Sequence, residues 1–211
     1  MSKPARRVRD RWRSKVWYSL FTPSYFGEQN IANVPCAEPT DVVGRVVENT
    51  LYDITGDFAH QSTKLYFAVT SLNGQRADTV LKGHEYSTDY LRSLVRRGSS
   101  RVDSITDQVT KDGFSTRISV VAFAGGRLNA GQQHGLRALM RRILGEKASS
   151  LTYDQFAQEM VLGKIGSDIY NEAKKIAPLR HVGVRKSKLM KRPEQVAAAP
   201  VEETPSPEKK E

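Results

Sequence analysis

The chain has 211 residues, 38% of them hydrophobic, and its 33 Lys and Arg against 23 Asp and Glu give a formal net charge of +10. This length allows one sizeable core, and this charge favours a polyanionic partner such as RNA, DNA or an anionic membrane surface. Without a run of about 18 apolar residues or an apolar leader, and with Cys36 as its only cysteine, the sequence predicts a cytosolic protein with no membrane span, signal peptide, intrachain disulfide or cysteine-based zinc site.

Residues 1–18 form a basic arm, because seven basic residues between Met1 and Trp17 face a single acid, Asp10. Such a density of like charge with little apolar material predicts disorder in the free protein and ordering on a polyanion. Trp17 and Phe21 are expected to hold the arm against the body, although stacking of its aromatic rings on bases stays open. The arm provides these candidates for RNA contact: Arg6, Arg7, Arg9, Arg11, Arg13 and Lys15.

The next part of the chain is predicted to form strands. Residues 42–54 are rich in Val and are expected to form one long strand. A second strand over residues 64–72 and its partner over 75–81 flank Asn73-Gly74, which is a strong hairpin turn signal.

A short helix is predicted after this hairpin. Ser87 is a suitable N-cap, and the apolar residues Leu91, Leu94 and Val95 recur at helical spacing. The apolar stripe is expected to anchor the helix, which leaves its other faces exposed.

Four arginines lie on or just after this helix: Arg92, Arg96, Arg97 and Arg101. Arg92 and Arg96 are four residues apart and are predicted to share one helix face. Guanidinium groups match phosphate oxygens in geometry, so these arginines are the main candidates for phosphate binding. The alternatives left open are a solvated basic face and pairing with acids elsewhere in the fold.

Residues 101–110 and 114–124 are predicted to form a second hairpin around Lys111-Asp112-Gly113, and the second of these strands is expected to be partly covered on both faces. The second half of the chain is predicted to be helical. Asn129 with Gln132, and Thr152 with Gln155, are capping boxes that would start two helices.

A bend is predicted at Gly163 and Gly166, after which the helical pattern continues to Pro178. Residues 181–189 alternate and predict a last strand. Because the helices between Leu136 and Ile176 carry the most apolar surface, they are a hypothesised site of protein–protein contact.

Strands that precede helices in this order predict an α+β fold, with an antiparallel β-barrel or sheet flanked by C-terminal helices. The domain organisation is a basic arm over residues 1–18, one RNA-binding domain over 19–192 and a disordered acidic tail over 193–211. The tail is rich in Pro, Ala and Glu, a composition that does not build a core.

The sequence gives little support for catalysis. It has no phosphate-binding loop, its four histidines are dispersed, and no catalytic residue, metal or cofactor is expected. Glu48, Asp53 and Asp57 come closest to a magnesium site, but Glu48 and Asp53 would lie on opposite strand faces. A structural role for these carboxylates is therefore preferred, and a metal-dependent RNA-processing enzyme is kept as an alternative.

Basic residues occur on several predicted elements, and Lys82, Lys111 and Lys186 are weaker candidates for phosphate contact. This dispersion is typical of a protein embedded in folded RNA rather than of one groove that reads a duplex. A free translation regulator that binds mRNA is the second alternative.

The chain also resembles a known family in several long segments, in the same order. The similar segments are residues 10–18, 44–58, 81–103, 109–123 and 158–189. They resemble the eS-one (S-three-A-e) family of small-subunit ribosomal proteins, found in archaea and eukaryotes, and the short N-terminus resembles archaeal members.

The resemblance implies a β-barrel-containing structural protein on the platform of the small subunit, in the cytoplasmic ribosome, near the mRNA exit. Its implied partners are small-subunit rRNA, neighbouring ribosomal proteins and mRNA near the exit channel, without a membrane or a small-molecule substrate. The acidic tail lies outside the resemblance.

Overall fold

Eight strands form one mixed, mostly antiparallel sheet in the computed structural model, which describes Trp12 and residues 15–193. The strands and α-helices follow one another in this order: β1 (Val16–Phe21), β2 (Asn30–Cys36), β3 (Val46–Thr50), α1 (Leu51–Thr55), β4 (Thr63–Asn73), β5 (Arg76–Tyr86), α2 (Thr88–Leu94), β6 (Arg101–Val109), β7 (Ser115–Ala124), α3 (Ala130–Ser150), α4 (Tyr153–Val161), α5 (Lys164–Ala173) and β8 (Leu179–Lys191). The predicted α+β class is confirmed.

Strand β5 joins the two halves of the sheet. The strand order is β2-β1-β5-β8-β7-β6, with β4 on the other edge of β5 and β3 beyond β4. On the edge of β5 that faces away from β4, residues 76–78 pair in parallel with β1, whereas residues 83–85 pair antiparallel with β8. Both predicted hairpins and the last strand are confirmed, although β5 and β8 are longer than expected.

The core of the second half lies between strands β6–β8 and helices α3–α5. Ile118 and Val120 of β7 point into this core, and Val121 and Phe123 pack on the opposite face against Leu91 of α2. Strand β7 is thus covered on both faces, as predicted. The first half has its own core, where Leu65 and Phe67 and their neighbours pack against α4.

The predicted strand over residues 42–54 is wrong in its length, because only Val46–Thr50 is a strand. Thr50 and Asp53 form a capping box that starts α1. The Asp53 N–H donates to Thr50 Oγ1 at 3.3 Å, and the Thr50 N–H donates to Asp53 Oδ2 at 3.1 Å. These bonds satisfy backbone groups at the start of a helix and end the strand.

Strands β1 and β2 were not predicted. β1 begins at Val16, so that three residues assigned to the arm lie in the sheet. Trp17 does not hold the arm as expected, since it is 58% exposed, whereas Tyr18 and Leu20 are buried. Alternation in β1 explains the difference, because neighbouring side chains of a strand face opposite sides of the sheet.

Thr152 is the N-cap residue of α4 as predicted, but the predicted capping box is wrong, since the Thr152 side chain makes no capping hydrogen bond. The Tyr153 N–H donates instead to Asp112 Oδ2 at 2.9 Å, from the turn between β6 and β7. The predicted bend is confirmed at Gly163, whose φ of +80° separates α4 from α5. Gly166 lies inside α5 and packs closely on β8, where an added Cβ would lie 3.1 Å from the Val182 oxygen.

None of the helices in the described part of the chain has the length and apolar character needed to span a membrane.

A buried histidine links β5 to β8. The His84 side chain is 1% exposed, its Nε2 lies 3.2 Å from the Val184 oxygen, and its Nδ1 lies 2.7 Å from Ser187 Oγ. Because a carbonyl only accepts, Nε2 carries the proton and Nδ1 accepts from the Ser187 hydroxyl. Burial lowers the pKa of His84 to about 4, although the bond to Val184 and the charge of Glu85 oppose this shift.

We expect His84 to make stability depend on pH below neutrality. Between about 6.5 and about 4 the unfolded imidazole takes up a proton that the folded one does not, so the free energy of unfolding falls as the pH falls through this window. The full loss is about 3 kcal/mol. Urea unfolding at several pH values measures it, and a His84→Gln variant should lose less stability over the window. If the free energy of unfolding falls with pH equally in the two proteins, the pH dependence does not come from His84.

Candidate nucleic-acid interface

One end of the sheet gathers loops from three strands. Arg101 at the start of β6 pairs with Phe123 at the end of β7, which pairs in turn with His181 near the start of β8. Neighbouring strands are about 4.8 Å apart, so the segments that enter and leave these strands lie within about 10 Å of one another.

Hydrogen bonds hold these loops in place. The Ser100 N–H donates to the Gly126 oxygen at 3.0 Å, and the Leu128 N–H donates to Ser100 Oγ at 3.0 Å. The Gly125 N–H donates to the Pro178 oxygen, also at 3.0 Å. Residues flanking these contacts therefore occupy defined positions relative to one another.

Six arginines lie on this end of the protein and are called the arginine cluster: Arg92, Arg96, Arg97, Arg101, Arg127 and Arg180. They come from α2, from the turn after it, from the start of β6, from the loop after β7 and from the start of β8. All are exposed except Arg180, which is half-buried.

The arginines of the cluster differ in how far acids neutralise them. Arg101 is paired with Asp103 at 3.0 Å, and Arg92 lies 4.0 Å from Asp89 with both side chains highly exposed. Within residues 15–193, Arg96, Arg97 and Arg127 form no ion pair within 4.0 Å. These three guanidinium groups are open to an anion.

Helix α2 is shorter than predicted. It ends at Leu94, and Val95 is extended, with φ −78° and ψ 127°, and 53% exposed. Arg96 therefore does not share a helix face with Arg92, contrary to the prediction. The guanidinium of Arg180 donates to the Leu94 oxygen at the end of the helix. The Ser99 hydroxyl donates to the Arg96 oxygen at 2.7 Å and closes a turn.

Arg127 and Arg180 were not among the predicted site residues. Both lie near the end of a strand: Arg127 follows β7, after Gly125-Gly126, and Arg180 is the second residue of β8, after Pro178. Glycine and proline mark such strand ends in a sequence. Only the strand order shows that these ends of β7 and β8 lie beside the start of β6, where Arg101 is.

Aromatic side chains lie beside the cluster. The Tyr90 ring packs edge-on against His181, with ring centroids 6.0 Å apart and planes at 88°, and it also packs on Tyr86 at 5.5 Å. Burial, with the charge of Arg180 as a smaller cause, holds the pKa of His181 below its usual value. His181 is thus neutral near pH 7, and the charge of this end comes from its arginines.

The other predicted contact residues that the structure describes lie elsewhere on the protein. Lys186 is paired with Glu85 at 2.8 Å, and Lys15 Nζ lies 3.8 Å from the centre of the Trp12 ring. Lys111 is exposed in the turn between β6 and β7, and Lys82 is exposed on β5. The predicted arm contacts Arg6, Arg7, Arg9, Arg11 and Arg13 lie outside the described residues, as does the tail from residue 194 onward.

The carboxylates considered for a metal site have local partners. Glu48 is paired with Lys64 at 2.7 Å, Asp53 caps α1, and Asp57 lies 4.0 Å from His60. Within the described part of the chain, no three His, Cys, Asp or Glu side chains are placed to hold a metal ion together.

The apolar stripes of α3, α4 and α5 are mostly buried against the sheet, so the reason for predicting protein contact there does not hold. Leu162, 55% exposed, is the exception among the large apolar side chains of the described helical segment 130–173.

Comparison with known proteins adds an independent observation. Residues 3–193 match the model of the Ribosomal S3Ae family. The chain is 41% identical over 194 residues to the small ribosomal subunit protein eS1 of Saccharolobus solfataricus. The aligned residues cover 92% of this chain and 93% of that protein. It is 44% identical over 189 residues to the protein of the same name from Desulfurococcus amylolyticus, which covers 90% of this chain and 89% of that protein.

Proposed function

The chain belongs to the Ribosomal S3Ae family, and we propose that it binds the rRNA of the small ribosomal subunit through the arginine cluster. Its archaeal relatives are named as proteins of the small ribosomal subunit. The chain is accordingly a structural protein of the archaeal cytoplasmic ribosome and not an enzyme.

The open guanidinium groups of Arg96, Arg97 and Arg127 carry this proposal. An arginine already paired with an acid loses that partner when it binds phosphate, whereas an open one gains charge-assisted hydrogen bonds. Guanidinium forks bind phosphate in a fixed geometry, and hydrogen-bonded loops hold this group of arginines together. The expected contacts are with phosphates, so affinity should fall strongly with salt.

The finer placement is supported by the family resemblance. We propose the platform beside the mRNA exit as its location, with neighbouring ribosomal proteins and mRNA as further partners. The arm arginines, from Arg6 to Arg13, are proposed to lie between rRNA segments, and the arm's excess of positive charge supports this.

Sedimentation of a lysate from the native source through a sucrose gradient tests the proposal. The protein is expected to migrate with the small subunit and to stay with it at moderate salt, because many phosphate contacts act together. Recovery at the top of the gradient at low salt would contradict a ribosomal role and would favour a free regulator that binds mRNA.

A further inference from the structure

A groove opens on the sheet where β8 separates from β5. The two strands pair over three residues, and the last pair is Gly83 with Lys188. Beyond this pair the same edge of β5 is taken by β1, and the end of β8 continues along β7. The divergence leaves a space between β4, β5 and the end of β8.

A β-bulge places a lysine at this point. Gly83 pairs with Tyr66, and Leu81 pairs with Phe67, so that Lys82 is the extra residue of β5. A bulge changes the direction of a side chain and interrupts the regular pairing. Lys82 is exposed and lies between two cavities of about 310 and 360 Å³, both of which it lines.

The groove combines a net positive charge with apolar surface, since Glu85, the one acid in the described part of the chain that lines its two cavities, is paired with Lys186 at 2.8 Å. Lys82, Lys188 and Arg192 are exposed, and none of them forms an ion pair within 4.0 Å among the described residues. Exposed apolar side chains line the same two cavities: Val43, 48% exposed, Val46, 40% exposed, and Met190, 44% exposed. The Tyr66 ring lines the first cavity.

This combination distinguishes between forms of RNA. A duplex presents phosphates and hides the faces of its bases. An aromatic ring and apolar walls would therefore contribute little to binding a duplex. A single strand exposes both its phosphates and the faces of its bases, and proteins bind it with a positively charged groove and aromatic side chains on which bases stack. The chemistry of the groove therefore fits a single strand.

We propose that this groove binds a single-stranded segment of RNA, with Lys82, Lys188 and Arg192 on its phosphates and one base on the Tyr66 ring. The groove is separate from the arginine cluster, since Arg180 and Lys188 are eight residues apart along β8, about 26 Å. This inference rests on the proposed function, because it adds a second RNA site to a protein of the ribosome.

Binding of two labelled RNAs to the full-length protein tests the groove. Fluorescence anisotropy is measured with a uridine oligomer of about twelve nucleotides and with an RNA hairpin. A Lys82→Gln/Lys188→Gln variant and a Tyr66→Leu variant are each expected to weaken binding of the oligomer about tenfold and binding of the hairpin less than about twofold. Tyr66→Phe keeps the ring and is expected to bind the oligomer like the wild type.

An Arg96→Gln/Arg97→Gln variant is the matched control, and it is expected to weaken hairpin binding while oligomer binding is retained. Unchanged oligomer binding in the groove variants, or equal weakening of both RNAs, would overturn the inference. If none of the variants loses hairpin binding, that result would instead contradict the proposed function of the arginine cluster. The two failures are therefore distinguishable.

Cross-linking in reconstituted small subunits tests the occupant. A benzoylphenylalanine in place of Tyr66 is expected to give a cross-link that ribonuclease removes. A cross-link to protein alone would overturn the inference and assign the groove to a polypeptide segment.

Discussion

Replacing Arg96 and Arg97 by glutamine is expected to weaken binding of small-subunit rRNA and to flatten its dependence on salt. Both side chains are exposed, and neither has an acidic partner within the described residues. Each phosphate contact contributes about 0.7–0.9 to the slope of log affinity against log salt, so two lost contacts lower that slope by about 1.4–1.8. Hydrogen bonds to charged groups contribute about 1.5–3 kcal/mol each, which predicts a loss of affinity of more than about tenfold.

A matched variant separates the cluster from the net charge of the protein. Arg76→Gln/Arg142→Gln removes the same formal charge, but Arg76 lies 3.1 Å from Glu28 and Arg142 lies 2.5 Å from Glu172. This control is expected to leave the slope nearly unchanged. Filter binding at a series of salt concentrations measures both variants. Equal slopes for the two variants would remove Arg96 and Arg97 from the interface.

Replacing Gly83 by alanine is expected to destabilise the protein by about 3 kcal/mol or more. An added Cβ would lie 2.2 Å from the Ser187 oxygen, 3.0 Å from the Ser187 carbonyl carbon and 3.3 Å from Lys188 Cα. All three are backbone atoms of the paired strand, so rotation of a side chain cannot relieve the overlap. β5 pairs with β8 over only three residues, and this pairing joins the two halves of the sheet.

Urea unfolding followed by circular dichroism measures this loss. Gly131→Ala is the matched control, because Gly131 is an exposed residue of α3 and an added Cβ there meets nothing within 4 Å. Alanine favours a helix over glycine by up to about 1 kcal/mol, so the control is expected to be as stable as the wild type or more so. A Gly83→Ala protein that unfolds at the same urea concentration as the control would contradict the close approach of β5 and β8.

Local signals explain which elements were predicted well. Asn73-Gly74 and Lys111-Asp112-Gly113 each form the turn of a hairpin, with φ of +63° at Gly74 and +80° at Gly113. A turn with positive φ and the alternation beside it involve neighbouring residues only, so the sequence contains the whole signal. The same holds for the helical stripe of α3 and for the break at Gly163.

Non-local contacts explain the errors. β1 pairs with β5 in parallel across more than fifty residues of chain, and no turn residue marks such a pairing. The end of α2 depends on Arg180, 86 residues further along, which binds the Leu94 oxygen. Asp112 likewise replaces the expected cap of α4 across 41 residues.

The α+β class, the hairpins, the basic character of the protein and the family could all be predicted from the sequence, because each depends on composition or on patterns among nearby residues. The basic residues that share a surface, and those that acids neutralise, are known only from the folded structure. Strand pairing brings Arg127 and Arg180 to Arg96 and Arg97, and it places Glu85 beside Lys186. The strength of an ionic contact depends on distance in space, and residues far apart in the chain acquire that distance only when the sheet forms.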